Sequence, residues 1–210
     1  MDTATDRPVV SKDQYTALQA PVVLPTPQDL LDFQVRTLKD KGLDLSDADV
    51  KQLRPLVPKE PQLFIVVPCL PDPLDLDGLM ALIEVDGLTG KNYLDQQKLF
   101  DELDTPRQAH LLLGVEDGRK RLNIKPSVSL KNIKAENRIP YTVWSGLVHV
   151  MVFPYVLYHH CLHLCGSRYG SGHVPGLSLD IGGFPGLGCF WDDIAGPRAG
   201  TPSAGSVVVP

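Results

Sequence analysis

The stretch 158–173, YHHCLHLCGSRYGSGH, sets four histidines and two cysteines around a single charged residue, Arg168. Imidazole and thiolate are common zinc ligands, and the same pair can make a nucleophile and its base. In an extended chain Cys161, His163 and Cys165 share one face, with Leu162 and Leu164 on the other. Alternate strand residues lie about 6.6 Å apart, so Cys161 and Cys165 stand about 13 Å from each other and cannot meet on one ion. A zinc site would therefore take His163 and Cys165 from this strand, with His173 or Cys189 from a neighbour. The spacing matches none of the usual Cys-x-x-Cys knuckles. A covalent site would use Cys165 as nucleophile, His163 or His173 as base and Asp180 to orient it, with Arg168 favouring the thiolate. The competing reading is packing: cysteine and hydrogen-bonded histidine fill half-buried sheet faces, and this reading is preferred. No cofactor is called for, and zinc is the only one these residues would suit.

Other chemistry-bearing patterns are weaker. Ser167 and Ser171 form no nucleophile elbow, because Arg168 or Tyr169 stands where the serine would be needed. Asp75, Asp77, Gly78 and Glu84 imitate a calcium loop, but its first position is Pro73, so an acidic turn is expected. No Gly-x-Gly-x-x-Gly follows a strand and precedes a helix. Asp192 and Asp193 read as a solvated strand end.

The elements that must position these groups follow from periodicity. Thr26, Pro27 and Asp29 open a helix that runs to a stop at Gly42, and Ser46 with Asp49 opens a shorter one ahead of Pro55. LFIVVPCL (63–70) is a buried strand, and LMALIEV (79–85) suits strand or helix equally. YLDQQKLFDEL (93–103) reads as a helix, and AHLLLGVEDGRKRLNI (109–124) as a hairpin turning at Asp117–Gly118. Residues 127–138 and 142–153 are helical. YVLYHHCLHLC, HVPGLSLDI and LGCFWDD then form an antiparallel meander with turns near 170–172 and 182–183. The fold expected is α+β, a mainly antiparallel sheet from the C-terminal half flanked by N-terminal and central helices. Its boundaries are an extended or disordered arm (1–25), one domain (26–197) and a loose tail (198–210).

Charge distribution narrows the function classes. The 210 residues carry 20 basic and 25 acidic side chains, and a net charge of −5 argues against a nucleic-acid partner. Only Arg168, Asp180, Asp192, Asp193 and Arg198 are charged beyond Arg138, so the last third is buried or covered. The charge-free run 139–158 has the length of a membrane span, but Pro140, Gly146, His149 and Pro154 interrupt it, and a soluble core is expected instead. Four cysteines make no disulfide framework, and residues 1–25 lack the pattern of a signal peptide, which points to the cytoplasm.

Several segments carry a resemblance: FQVRTLKDKG, HLLLGVEDG leading to LNIKPS, RIPYTVWSGL, GSRYGSGHVPGLSL, PGLGCFWDD and GTPSAGS. In order and spacing the chain resembles, over 28–206, an actinobacterial family of about this length known only as a domain of unknown function. The most particular matches are Ser167, Arg168 and Gly170; Val174, Pro175 and Leu177; and Leu187, Gly188, Cys189 and Trp191. The resemblance implies no activity. It implies that the glycine-rich sheet is the defining part, and the YHHCLHLC run departs from the pattern.

A binding or accessory role is therefore expected of the aromatic, charge-poor sheet. Its partner would be a second copy, another protein or a small apolar ligand held near Trp144, Arg168, Tyr169 and Trp191. The alternative is a small-molecule enzyme, hydrolase- or lyase-like, using Cys165, His163, His173 and Asp180 with or without zinc.

Overall fold

The computed structural model describes residues 26–210, so the expectation for the arm falls outside the described residues. Helix α1 (Pro27–Asp40) begins as its sequence requires. Thr26 Oγ1 accepts from the Asp29 amide while the Asp29 carboxylate accepts from the Thr26 amide, closing a capping box. Ser46 and Asp49 repeat the device at α2 (Asp47–Leu53), which runs on into a 3-10 turn at Arg54–Leu56. Between them Gly42 adopts a φ of +76°, the left-handed stop that a side chain would strain.

The continuous apolar run becomes strand β1 (Ile65–Val67), wholly buried. The undecided 79–85 segment divides between α3 (Leu76–Ala81) and β2 (Glu84–Val85), which pairs with β3 (Leu88–Thr89). Asp75, a ligand in the mock calcium loop, is the N-cap of α3, and its carboxylate accepts from the Gly78 amide. Strand β4 (Lys91–Asn92) follows.

Two local expectations are overturned by distant partners. Residues 93–103 are not a helix: Asp95 caps one 3-10 turn, and the chain then runs as β5 (Leu99–Asp101). The pairing of β5 with β9 (Ser167–Tyr169), across more than 60 residues, outweighs its helical propensity. The 109–124 hairpin does not form either. Strand β6 (His110–Leu113) lies between β1 and the distant β14 (Ser206–Val208). Gly118, at φ +106°, turns the chain inward into a 3-10 turn. Arg121 is buried there between Glu116 at 2.6 Å and Glu136 at 2.5 Å. A buried guanidinium demands paired carboxylates, and this pairing fixes the loop in place of a second strand.

Helix α4 (Pro126–Ala135) and strand β7 (Ile139–Pro140) lead to the central helix α5 (Val143–Val152), capped by Thr142 and buried at every residue. The charge-free run is thus interior. Helix α5 packs on α1, on β1 and on β10 (His173–Leu179), joining the three-stranded sheet to the larger one. No helix among the described residues is long and apolar enough to cross a membrane.

The run YVLYHHCLHLC divides into a short helix, α6 (Val156–His159), and strand β8 (Cys161–His163), leaving Cys165 beyond the strand. Strand β11 (Pro185–Trp191) forms the expected antiparallel hairpin with β10. The larger sheet has the order β12–β8–β10–β11–β4, with β12 (Ala199–Gly200) and β4 parallel to their neighbours and the other pairs antiparallel. The fold is α+β with mostly antiparallel sheets.

The tail is not loose. Beyond β12, strand β13 (Ser203–Ala204) pairs with β7 and β14 with β6. Ala199, Thr201, Ser203 and Ala204 are buried. Arg138 anchors the segment through the Ser203 hydroxyl at 2.9 Å and the Ser203 carbonyl at 3.0 Å.

Candidate functional site

The two faces of the five-stranded sheet are set by cross-strand register. Leu162, Leu177 and Leu187 stand in line on the inner face and are fully buried. The opposite face carries His163, Gly176 and Gly188 in one row, with Val174 and Phe190 flanking on one side and Ser178 and Gly186 on the other.

The opening histidines and cysteines are dispersed over these layers. His160 is buried and its Nε2–H donates to the Asp117 carbonyl at 2.8 Å. A neutral imidazole then has only Nδ1 left as an acceptor, so at 3.0 Å His159 Nδ1–H donates to His160 Nδ1. His163 is also buried and lies beside Phe190, ring centroids 5.0 Å apart. Burial, with His160 nearby, lowers its pKa to about 4. Its Nδ1 has no hydrogen-bond partner among the described residues.

Cys165 is enclosed by Leu130 and Val174, and its thiol donates weakly to the Pro126 carbonyl at 3.7 Å. Burial pushes that thiol up to about 12, so it is held as the unreactive S–H. Arg168 pulls the thiol pKa down but is outweighed by burial, and its guanidinium spans Glu102 at 3.0 Å and Asp192 at 3.2 Å. His173 donates from Nδ1 to the Ser171 carbonyl and stacks on Trp191 at 4.0 Å. Asp180 sits at the other end of β10, more than 20 Å along the strand from His173 by the usual rise of about 3.3 Å per residue. It accepts from the Gly182 and Phe184 amides and from the Tyr93 hydroxyl, a turn-building role.

The residues expected to share a catalytic or zinc site are therefore not brought together. Cys189, the alternative ligand, is exposed opposite Pro175. Among the described residues no group of three or more His, Cys, Asp or Glu side chains is placed to hold a metal ion. Of the expected binding residues, Trp144 is core, donating from its indole to the Pro68 carbonyl at 3.2 Å. Tyr169 is half-buried, and its hydroxyl accepts from the Asp95 amide. Trp191 is 56% exposed.

A different site lies on the glycine face. Along β11, Gly186, Gly188 and Phe190 alternate toward it. Tyr93 follows β4, which runs beside β11, and its ring reaches to 3.0 Å of the point where a Gly186 Cβ would stand. The Phe190 ring lies 2.6 Å from the corresponding point on Gly176. Above Gly188, nothing among the described residues lies within 4 Å of the point where a Cβ would stand. The result is a shallow slot floored by backbone and flanked by the Phe190 ring and by the 58% exposed Tyr93 ring, whose hydroxyl donates to Asp180 at 3.1 Å. That same bond raises the Tyr93 pKa, so the phenol stays neutral.

Sequence reasoning missed Tyr93, Gly188 and Phe190 as a set. The signal was present for two of them: small residues at period two in HVPGLSL and PGLGCFW leave one sheet face bare. Nothing local to Tyr93 announces that its strand will lie beside β11.

The slot also lies within the part of the chain that has known relatives. The model of a family of unknown function (DUF5701) matches residues 23–191. The chain belongs to that family. The matched span of this DUF5701 protein contains Tyr93, Gly176, Gly186, Gly188 and Phe190, and it ends before β12, β13 and β14. No curated protein and no solved structure matches the DUF5701 chain.

Proposed function

We propose that this protein works by binding, and that the occupant of its glycine-floored slot is a small planar apolar molecule. The observation that carries the reading is the open position over Gly188 between Tyr93 and Phe190. Backbone without side chains lets a flat ring approach closely, and aromatic walls favour offset or edge-to-face contacts with it. Lys91, poised over the Phe184 ring at 3.7 Å, keeps the rim wet while the floor stays apolar. The enzyme reading has less support, because Cys165, His163, His173 and Asp180 are engaged in separate places.

The test uses p-xylene as a probe, with amide NMR shifts recorded on the wild-type chain and on Gly188→Val. Saturable shifts centred on Gly186, Gly188 and Tyr93 are expected in the wild type. They disappear in the variant, whose unfolding temperature is unchanged or higher because its new side chain enters open space on a strand. Absence of saturable shifts in the wild type defeats the reading. So does concentration-dependent dimerisation that Gly188→Val abolishes, since a second copy would then be the occupant.

A further inference from the structure

We propose that His163 reads a hydroxyl on the slot's occupant, making the ligand class phenolic; this rests on the binding role argued above. The row His163, Gly176, Gly188 crosses three adjacent strands in register, spanning about 10 Å at the usual strand spacing. Over the middle position lies the Phe190 ring, close enough to Gly176 that a Cβ there would collide with it. The order across the face is therefore imidazole, phenyl ring, open slot. Phe190 is the partition between the histidine and the vacant end.

Reaching the imidazole requires that partition to turn aside. Phe190 is half-buried: its ring rests on Gly176 and also packs against Leu130, Cys165 and Val174, so a ligand reaches the histidine by displacing it. Rotation about χ1 would free a lane whose floor is two glycines and whose inner end is His163. A ligand ring entering from Gly188 would then occupy the place over Gly176, with its para substituent at the imidazole.

What that substituent must be follows from the orphaned nitrogen. His163 is 2% exposed, and its Nδ1 is buried without a hydrogen-bond partner among the described residues. Buried polar atoms are nearly always satisfied by protein, water or ligand, so a buried nitrogen without one calls for a partner. The imidazole is held neutral by burial, so it presents one N–H and one lone pair. A hydroxyl donates or accepts as required and so serves either tautomer, which neither a carbonyl nor an ammonium does. A charged group is disfavoured because the charges near this face among the described residues are engaged elsewhere: Lys91 lies over the Phe184 ring, Arg198 donates to the Tyr158 carbonyl, and Asp180 is taken up by the turn.

The experiment compares p-cresol with p-xylene, which share a shape and differ by one hydroxyl, on the full wild-type chain. Binding is followed by amide NMR, and the His163 imidazole by its side-chain 15N resonances. p-Cresol is expected to bind at least tenfold more tightly and to move the His163 Nδ1 resonance by several parts per million. Equal affinities, or tighter p-cresol binding with an unmoved Nδ1, overturn the role of His163 while leaving the slot in place. Failure of p-xylene itself to bind overturns the slot first. As a second arm, Phe190→Ala removes the partition and is expected to tighten p-cresol binding; a loss of binding overturns the lane across Gly176.

Discussion

Glycine is replaceable at one point of the slot's row and irreplaceable at another, and the difference is a matter of tenths of nanometres. A Cβ at Gly188 meets nothing within 4 Å, whereas one at Gly176 would stand 2.7 Å from the Leu162 carbonyl oxygen and 2.6 Å from Phe190. Gly188→Ala is therefore expected to hold or gain up to about 1 kcal/mol, and Gly176→Ala to lose roughly 1–3 kcal/mol through overpacking against backbone. Urea denaturation of the two variants checks the pair, and equal midpoints would refute the geometry. The cysteines differ as sharply. Cys165, its thiol held up to about 12, should resist iodoacetamide in the native protein at pH 8, while exposed Cys189 is alkylated. Peptide mass mapping separates them. At this scale the sequence was a poor guide: it marked Cys165 and His163 as chemistry, but thiol reactivity depends on burial by Leu130 and Val174, which lie 35 and 9 residues away.

Edges decide the behaviour of elements here. Among the described residues strand β1 is flanked by β6 on one side only, and its other edge is closed by a side chain: Gln34 of α1 donates to the Phe64 carbonyl and accepts from the Val66 amide, both at 2.9 Å. A primary amide thus stands in for a neighbouring strand. Gln34→Leu leaves both backbone groups buried and unmatched, and a loss of about 2–4 kcal/mol is expected from equilibrium unfolding. Shortening the chain to residue 197 should be more severe, because it strips partners from β8, β7 and β6 together. Loss of a cooperative thermal transition is the expected result. Elements with strong local signals were legible beforehand: the capping boxes at Thr26 and Ser46, the apolar run at 63–70 and the glycine turns of the β10–β11 hairpin all appear where expected. Elements that exist only through remote pairing were not. Nothing within LFD at 99–101 or GTPSAGSVVV at 200–209 names the strand it will join.

For the molecule as a whole, buried imidazoles set the response to acid. His149 and His163 are each held near 4 by burial, against an ordinary value of 6.5. The unfolded chain therefore binds more protons than the folded one between those limits, and stability falls as pH drops from 6.5 toward 4. The two together give a slope approaching roughly 3 kcal/mol per pH unit in that window. Unfolding followed at pH 7.5, 6 and 5 tests this, and a midpoint that does not move would contradict it. His149→Phe, which keeps the ring packing against Phe153 and removes the titrating group, should reduce the slope by about half. The architecture has a further consequence for how the chain is made. Its last strands are dealt one to each of three separate sheets, which gain their final members only at residues 200, 204 and 208. The hairpin that bears the slot has both its neighbours, β8 and β4, once residue 191 is made, whereas β8, β7 and β6 each keep an edge open until those last strands emerge. A chain emerging from the ribosome therefore carries these open strand edges late into synthesis, the condition in which non-local pairing is slowest and most exposed to aggregation.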